Sequence, residues 1–438
     1  MKKVLFICVT MLLICISGKA TERNLLLIPY PQQVSIKQGN YNLTDNVKIG
    51  ADPLFTQELK KLQEVLTEDF GLKSQIVKPS KADISLCYDA SFMQEEKEAY
   101  QLEVTDMKIT IRAQMATGIF YGIQSLRQLI KSEAGKWIIP KLTITDYPAL
   151  SWRSFMLDEG RYFKGEKVVK QILDEMALLK MNVFQWHLTD DQGWRIEIKK
   201  YPRLTEIGAF RDSTQMEWYE SHHYDGKPHG GFYTQTQIRS IIKYASERHI
   251  TIIPEIEMPG HSAAAIAAYP WLSATGKEIK VPCNFGVQYD VFNVTDPKVL
   301  NFLNDVIDEV TTLFSSGILH IGGDEVRYDQ WNASSSVQKF IQEKGFSSAS
   351  DIQVWFTNQM SKVIAQKGWR MMGWNDITGE KLHHFQSGDK EGTERLAPGT
   401  IVQFWKGDSD ILQRAAEQGQ HIVNSYNNFT YLNYSYEY

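Results

Sequence analysis

From Pro148 onward one pattern repeats: a short apolar run, a polar or Gly-rich end, then a helical stretch. Seven such runs occur, at 153–157, 182–188, 250–256, 318–321, 370–374, 400–405 and 421–425. That repetition is the mark of βα units and of a parallel sheet. Helix starts between the runs carry their own signals, a capping box from Thr234 to Gln237 and Asp296 ahead of Pro297. The predicted class is α/β, a (β/α)8 TIM-type barrel over residues 148–438. Seven runs are one short of eight, so the eighth strand is expected to be absent before Tyr438 and the barrel to be incomplete at its C-terminal end.

Residues 21–147 follow a different pattern. Leu59, Leu62, Leu66 and Phe70 recur at helical spacing, as do Ile119, Ile123, Leu126 and Ile130. Segments 100–104 and 108–112 alternate across a polar turn, as a hairpin does. A small structural α+β domain is expected here, without catalytic groups. Residues 1–20 read as a Sec signal peptide: Lys2 and Lys3, an apolar run from Val4 to Ile16, then small residues ending at Ala20. Export to the periplasm or the medium follows. Lipid anchoring at Cys15 is the alternative, disfavoured by Ile14 where a small residue is preferred, and the apolar run is too short to span a membrane. Cys8 and Cys15 leave with this segment. Cys87 and Cys283 remain, and they read as buried free thiols rather than a disulfide framework. A formal net charge of −5 without a basic stripe argues against a nucleic-acid partner.

In a parallel barrel the site forms at the carboxyl ends of the strands. The residues there are Asp158 and Arg161, Asp190 to Arg195, Glu255, Glu257 and His261, Asp324 and Glu325, Trp374 to Asp376, Trp405, and Asn427 with Asn428. Carboxylates, a histidine and several indoles on one rim suit a sugar: carboxyl groups for proton transfer, flat apolar rings for a pyranose face. Each taken singly has a plainer reading, such as a structural ion pair for Asp158 and Arg161. No zinc-binding His pattern occurs, and His222-His223 and His383-His384 fall in polar loops where solvated histidines are the default. No Gly-x-Ser-x-Gly elbow or Gly-rich phosphate loop is present. Neither a metal nor a cofactor is expected.

Four segments then carry a resemblance: 153–161 (Arg-Ser-Phe-Met-Leu-Asp-Glu-Gly-Arg), 186–195 (Trp-His-Leu-Thr-Asp-Asp-Gln-Gly-Trp-Arg), 254–261 (Pro-Glu-Ile-Glu-Met-Pro-Gly-His) and 320–325 (His-Ile-Gly-Gly-Asp-Glu). In this order and spacing the chain resembles glycoside hydrolase family 20, and the likeness spans nearly all of residues 21–438. The resemblance implies an exo-acting β-N-acetylhexosaminidase whose partner is a glycan ending in N-acetylglucosamine or N-acetylgalactosamine. Asp324 and Glu325 are sequence neighbours, whereas the ordinary retaining pair stands about 5 to 5.5 Å apart across the bond. The family implies substrate assistance instead, with the 2-acetamido carbonyl as nucleophile.

By the same resemblance Glu325 is the general acid and Asp324 orients the acetamido group. A desolvated Glu beside a second carboxylate is expected to have a raised pKa. Asp190 and His261 are expected to form a relay to Glu325. Arg153 is expected to bind outer sugar hydroxyls, Trp355, Trp374 and Trp405 to wall the pocket, and Tyr431 to hold the acetamido oxygen. Asn433 stands where many members have Asp, which implies tolerance of a 6-sulfated sugar. Glu257 likewise replaces a usual Asp. Two other readings stay open, a catalytically impaired carbohydrate-binding fragment and a disaccharide-releasing relative.

Overall fold

The computed structural model describes residues 25–92, 97–219, 221–386 and 392–434. The expected signal segment lies outside them. The chain divides into two compact units, Met1–Ala149 and Leu150–Tyr438.

The first unit is an eight-stranded mixed sheet with two helices. Its strands are β1 (Gln33–Asn42), β2 (Asn46–Ala51), β3 (Lys73–Ile76), β4 (Ile84–Tyr88), β5 (Tyr100–Val104), β6 (Ile109–Ala113), β7 (Lys131–Glu133) and β8 (Lys136–Asp146). They run in the order β1-β8-β5-β6-β4-β2-β3, with β7 on β8. The expected hairpin is β5 with β6, antiparallel, Gln101 opposite Arg112. Helices α1 (Thr56–Glu68) and α2 (Ala116–Leu129) form over the two periodic stretches, with Leu59, Leu62, Leu66, Ile119, Ile123 and Leu126 buried, but they end before Phe70 and Ile130, which were expected on them. Two glycines let α2 approach the strands. A Cβ at Gly118 would meet the Ala99 carbonyl at 2.2 Å, and one at Gly122 would meet Ile111 at 2.4 Å.

The second unit holds seven parallel strands, one for each run. They are β9 (Ser154–Asp158), β10 (Val183–His187), then, after the two-residue pairs β11 (Thr189–Asp190) with β12 (Gly193–Trp194) and β13 (Phe210–Arg211) with β14 (His229–Gly230), β15 (Thr251–Glu255), β16 (Ile318–His320), β17 (Arg370–Trp374), β18 (Ile401–Phe404) and β19 (His421–Asn424). Each strand pairs with the next in chain order, so β9 and β19 are the sheet's end strands, and no strand among the described residues joins them. Helices α3 (Glu166–Leu178), α4 (Gln235–Ser246), α5 (Ala263–Ala268), α6 (Pro297–Leu313), α7 (Ser335–Lys344), α8 (Ala349–Gln366) and α9 (Ser409–Glu417) alternate with the strands. The capping box forms at Thr234, and the Asp296 side chain accepts from the Lys298 amide, each contributing about 1 kcal/mol to its helix start. Every residue of β10 is buried, as expected of a central strand in a parallel sheet.

Strand register sets up the site. His187 lies beside Asp158 on one neighbour and Glu255 on the other, and Glu255 lies beside His320. Four titratable side chains thus form one lateral row across four strand ends. Cys87 and Cys283 are free but only half-buried, less enclosed than expected. No helix among the described residues is long and apolar enough to cross a membrane.

Candidate active site

The chain leaves β16 through Gly322 and Gly323, both at positive φ (64° and 88°), and reaches Glu325 at φ 51°. The left-handed region is open to glycine and costs other residues strain. At Gly322 space forbids a side chain as well, since a Cβ would lie 1.7 Å from the Glu257 carboxylate. The turn swings Asp324 and Glu325 onto His261, itself at φ 46°. His261 Nε2 stands 3.5 Å from Asp324 Oδ2 and 3.4 Å from Glu325 Oε2. Its other nitrogen, Nδ1, faces Asp191 Oδ2 at 3.0 Å and Asp190 Oδ1 at 3.4 Å. The nearer arm of the expected relay is therefore Asp191, while Asp190 is shared with Arg161.

Burial opposes charge on His261, but the carboxylates of Asp190 and Asp324 outweigh it and hold the imidazole well above its usual range. Burial pushes Asp324 up despite His261. Burial also pushes Glu325 up, but the hydrogen bond and charge of His261, with His383 and Arg161, outweigh it and hold Glu325 low. The raised Glu325 expected from sequence is thus corrected: an adjacent carboxylate is legible in sequence, whereas the cations facing it are not.

Beneath this pair lies the row at the strand ends. His187 Nε2 is 3.2 Å from Asp190 and 3.3 Å from Glu257. Burial would keep it neutral, but Glu255, Asp158 and Asp190 raise it to about 9. Glu257 is pushed well above the usual carboxyl range by burial and by the charges of Asp324 and Glu255. Arg195, fully buried, donates to the carbonyls of Glu159, Gly160, Ala209, Gly231 and Gln192. It fastens the loops around the mouth. Glu159, also buried, accepts from the Trp186 indole and the Tyr233 hydroxyl.

Two indoles at the strand ends donate to buried carboxylates. Trp374 Nε1 donates to Glu255 Oε1 at 2.8 Å, and Trp405 Nε1 to Asp376 Oδ2 at 2.9 Å. Tyr431 stacks on Trp405, 6.3 Å between centroids at 13°. Burial and the charges of Asp324 and Glu255 push its hydroxyl up, so it stays a neutral donor.

Other expected positions are not in this cluster. Arg153 precedes β9 at its amino end, where its guanidinium donates to the Lys180 and Leu150 carbonyls at 2.7 Å each. The site arginine is Arg161, eight residues on and past the carboxyl end of β9. Its Nη1 is 2.6 Å from Asp190 Oδ2 and 3.0 Å from Asp158 Oδ2. Trp355 lies on α8 and packs on Phe340 of α7 at 5.1 Å and on Phe346 at 6.4 Å; it belongs to a helix contact, not to the pocket wall. Asn433 is exposed in the segment after Tyr431. His222, His223 and His384 are exposed as expected, but His383 is not. Its side chain is 3% exposed, and its Nε2 lies 2.8 Å from Asp376 Oδ1.

Fold and site together define the class: a TIM-type β/α barrel protein with adjacent carboxylates and indoles at the carboxyl ends of its strands. Comparison with known proteins narrows this. The model of the glycosyl hydrolase family 20 catalytic domain matches residues 150–438, and that of the family's domain 2 matches residues 24–147. A beta-hexosaminidase of Porphyromonas gingivalis is 38% identical over 93% of this chain, and one of Vibrio furnissii 34% over 94%. The chain covers 52% and 65% of those two proteins, between half and two thirds of their length. The β-N-acetylhexosaminidase structure from Bacteroides fragilis superposes with a TM-score of 0.77 at 32% identity, covering 93% of this chain and 77% of that one. An exo β-N-acetylglucosaminidase of Vibrio harveyi, solved with N-acetylglucosamine, gives 0.76 at 28% identity, over 91% of this chain and 60% of that one. The chain belongs to glycosyl hydrolase family 20.

Proposed function

We propose that this chain is an exported, exo-acting β-N-acetylhexosaminidase that removes terminal β-linked N-acetylglucosamine or N-acetylgalactosamine by a retaining, substrate-assisted route. The observation that carries the reading is the contact of one imidazole, His261, with two adjacent carboxylates, Asp324 at 3.5 Å and Glu325 at 3.4 Å. Two carboxyl groups so joined cannot stand on opposite faces of a sugar as acid and nucleophile. The substrate's own acetamido oxygen takes the second role. It bonds to the anomeric carbon as the glycosidic bond breaks, and the leaving oxygen takes its proton from Glu325. Water then attacks the anomeric carbon, gives a proton back to Glu325 and opens the oxazolinium ring.

Asp324 compensates the positive charge building on the acetamido nitrogen. His261, His383 and Arg161 hold Glu325 low; a docked sugar displaces water and pushes its carboxyl up toward the protonated donor. The indoles of Trp374 and Trp405 supply the flat wall and Tyr431 the donor for the acetamido oxygen. The Vibrio harveyi relative, an exo β-N-acetylglucosaminidase solved with N-acetylglucosamine, supports both the mode and the sugar. Export rests on the sequence pattern of residues 1–20.

The test is turnover of phenyl N-acetyl-β-glucosaminide. The wild type is expected to release phenol, and Glu325→Gln to lose about 10² to 10⁴-fold in kcat, the usual worth of a positioned proton donor. An unchanged rate in that variant would remove Glu325 from the mechanism.

A further inference from the structure

The loop after β17 brings one carboxylate against both the proposed acid and the proposed sugar wall. Asp376 Oδ1 accepts from the backbone amide of Glu325 at 3.1 Å and faces His383 Nε2 at 2.8 Å. Its Oδ2 accepts from the Trp405 indole at 2.9 Å. Asp376 is 2% exposed. The imidazole of His383 stacks between Phe385, at 5.1 Å and 9°, and Trp405, at 5.9 Å and 30°. Its Nδ1 lies 3.7 Å from Glu325 Oε1 and 3.4 Å from Lys406 Nζ. Glu325 therefore meets His261 at one carboxylate oxygen and His383 at the other.

We infer that Asp376 is a positioning residue for the general acid: it fixes the strained backbone of Glu325 and the indole of Trp405 in one frame, with His383 holding it in place. The inference rests on the glycosidase reading given above. The Glu325 amide and the Trp405 indole both donate to this carboxylate, one to each oxygen, and a His383 ring nitrogen lies against it. Alanine there removes both acceptor oxygens, whereas an asparagine with its oxygen at the Oδ1 position keeps the Glu325 amide bonded. The Glu325 amide is the contact whose loss matters most, because at φ 51° the residue is not held by its own preference.

A misplaced acid harms those reactions that need a proton. The experiment compares Asp376→Ala with wild type on phenyl and dinitrophenyl N-acetyl-β-glucosaminide, the second having a leaving group that departs without protonation. The expected result is a loss in kcat of about 10-fold or more on the phenyl glycoside, within the worth of general acid catalysis. On the dinitrophenyl glycoside kcat stays within about twofold, which also shows that the variant folds. Trp405→Phe, which leaves the Glu325 amide bonded to Asp376, is expected to lose equally on both and mainly through KM. His383→Asn, which removes one partner of Asp376, is expected to shift the phenyl-to-dinitrophenyl ratio the same way by about threefold. Equal losses in kcat on both substrates for Asp376→Ala, or none, would overturn the inference. A wild type that turns over neither glycoside fails the glycosidase reading instead, and the two failures are told apart by that control.

Discussion

The two units bury polar groups on different terms. In the first, the buried Tyr100 hydroxyl lies 2.6 Å from the Ser125 hydroxyl and donates to Asp146 at 3.0 Å, and the surroundings are aliphatic: Leu102, Ile109, Ile111, Ile123 and Ile144 are 0% exposed. In the second, the strand ends bury Asp190, Asp191, Glu255, Glu257, His187, His261 and His320, none more than 5% exposed. Removing charged groups from water costs several kcal/mol each unless they are paired, so this clustering weakens the fold where it occurs. The lesson is a division of labour: one unit is built for packing, and the other tolerates buried charge where a reaction needs it.

That contrast can be broken in either unit. The largest effect on stability is expected in the first. Leu126→Ala opens a cavity beside the sheet and should cost about 2 to 5 kcal/mol, read as a lower denaturant midpoint, while kcat of the folded protein stays within about twofold because no proposed catalytic group lies there. A matching loss of kcat would mean the first unit shapes the site.

A smaller effect is expected from Glu257→Gln in the second unit. Glu257 is raised in the folded state, so its contribution is fully present at pH below the unfolded value, about 4.3. It is lost as pH rises through the folded value. Gln imitates the protonated form, and the wild-type fall in Tm from acid to alkaline pH should become shallower in the variant. An unaltered slope would show that Glu257 is ionised in the fold, its charge compensated by the neighbouring imidazoles His261 and His187.

The frame of the molecule was legible because periodicity is local. All seven apolar runs are strands, and both periodic stretches of the first unit are helices. The clustering of side chains was legible where a strand end fixes their direction, as for Asp190, His261, Asp324, Glu325, Trp374 and Trp405. Arg153 and Arg161 flank the same strand, and only the second stands at its carboxyl end, so the strand-end rule separates the two arginines where motif likeness does not. Trp355 was misread because an indole in a helix shows no preference between pocket and packing. Its neighbours Ile352 and Phe356, both buried, mark the helix as core-facing.

Asp376 and His383 were illegible as a pair. Their contact arises in an irregular loop, and nothing in the spacing distinguishes His383, buried, from His384, exposed. The direction of the Glu325 shift was hidden for the same reason, since it depends on which histidines turn toward it.

Adjacent Asp324 and Glu325 leave nucleophilic attack to the substrate's acetamido group. Phenyl N-acetyl-β-glucosaminide and phenyl β-glucoside differ only at that group. Turnover is expected of the first and none detectable of the second, with free N-acetylglucosamine released as the β-anomer. Comparable kcat/KM on both glycosides would contradict the substrate-assisted route.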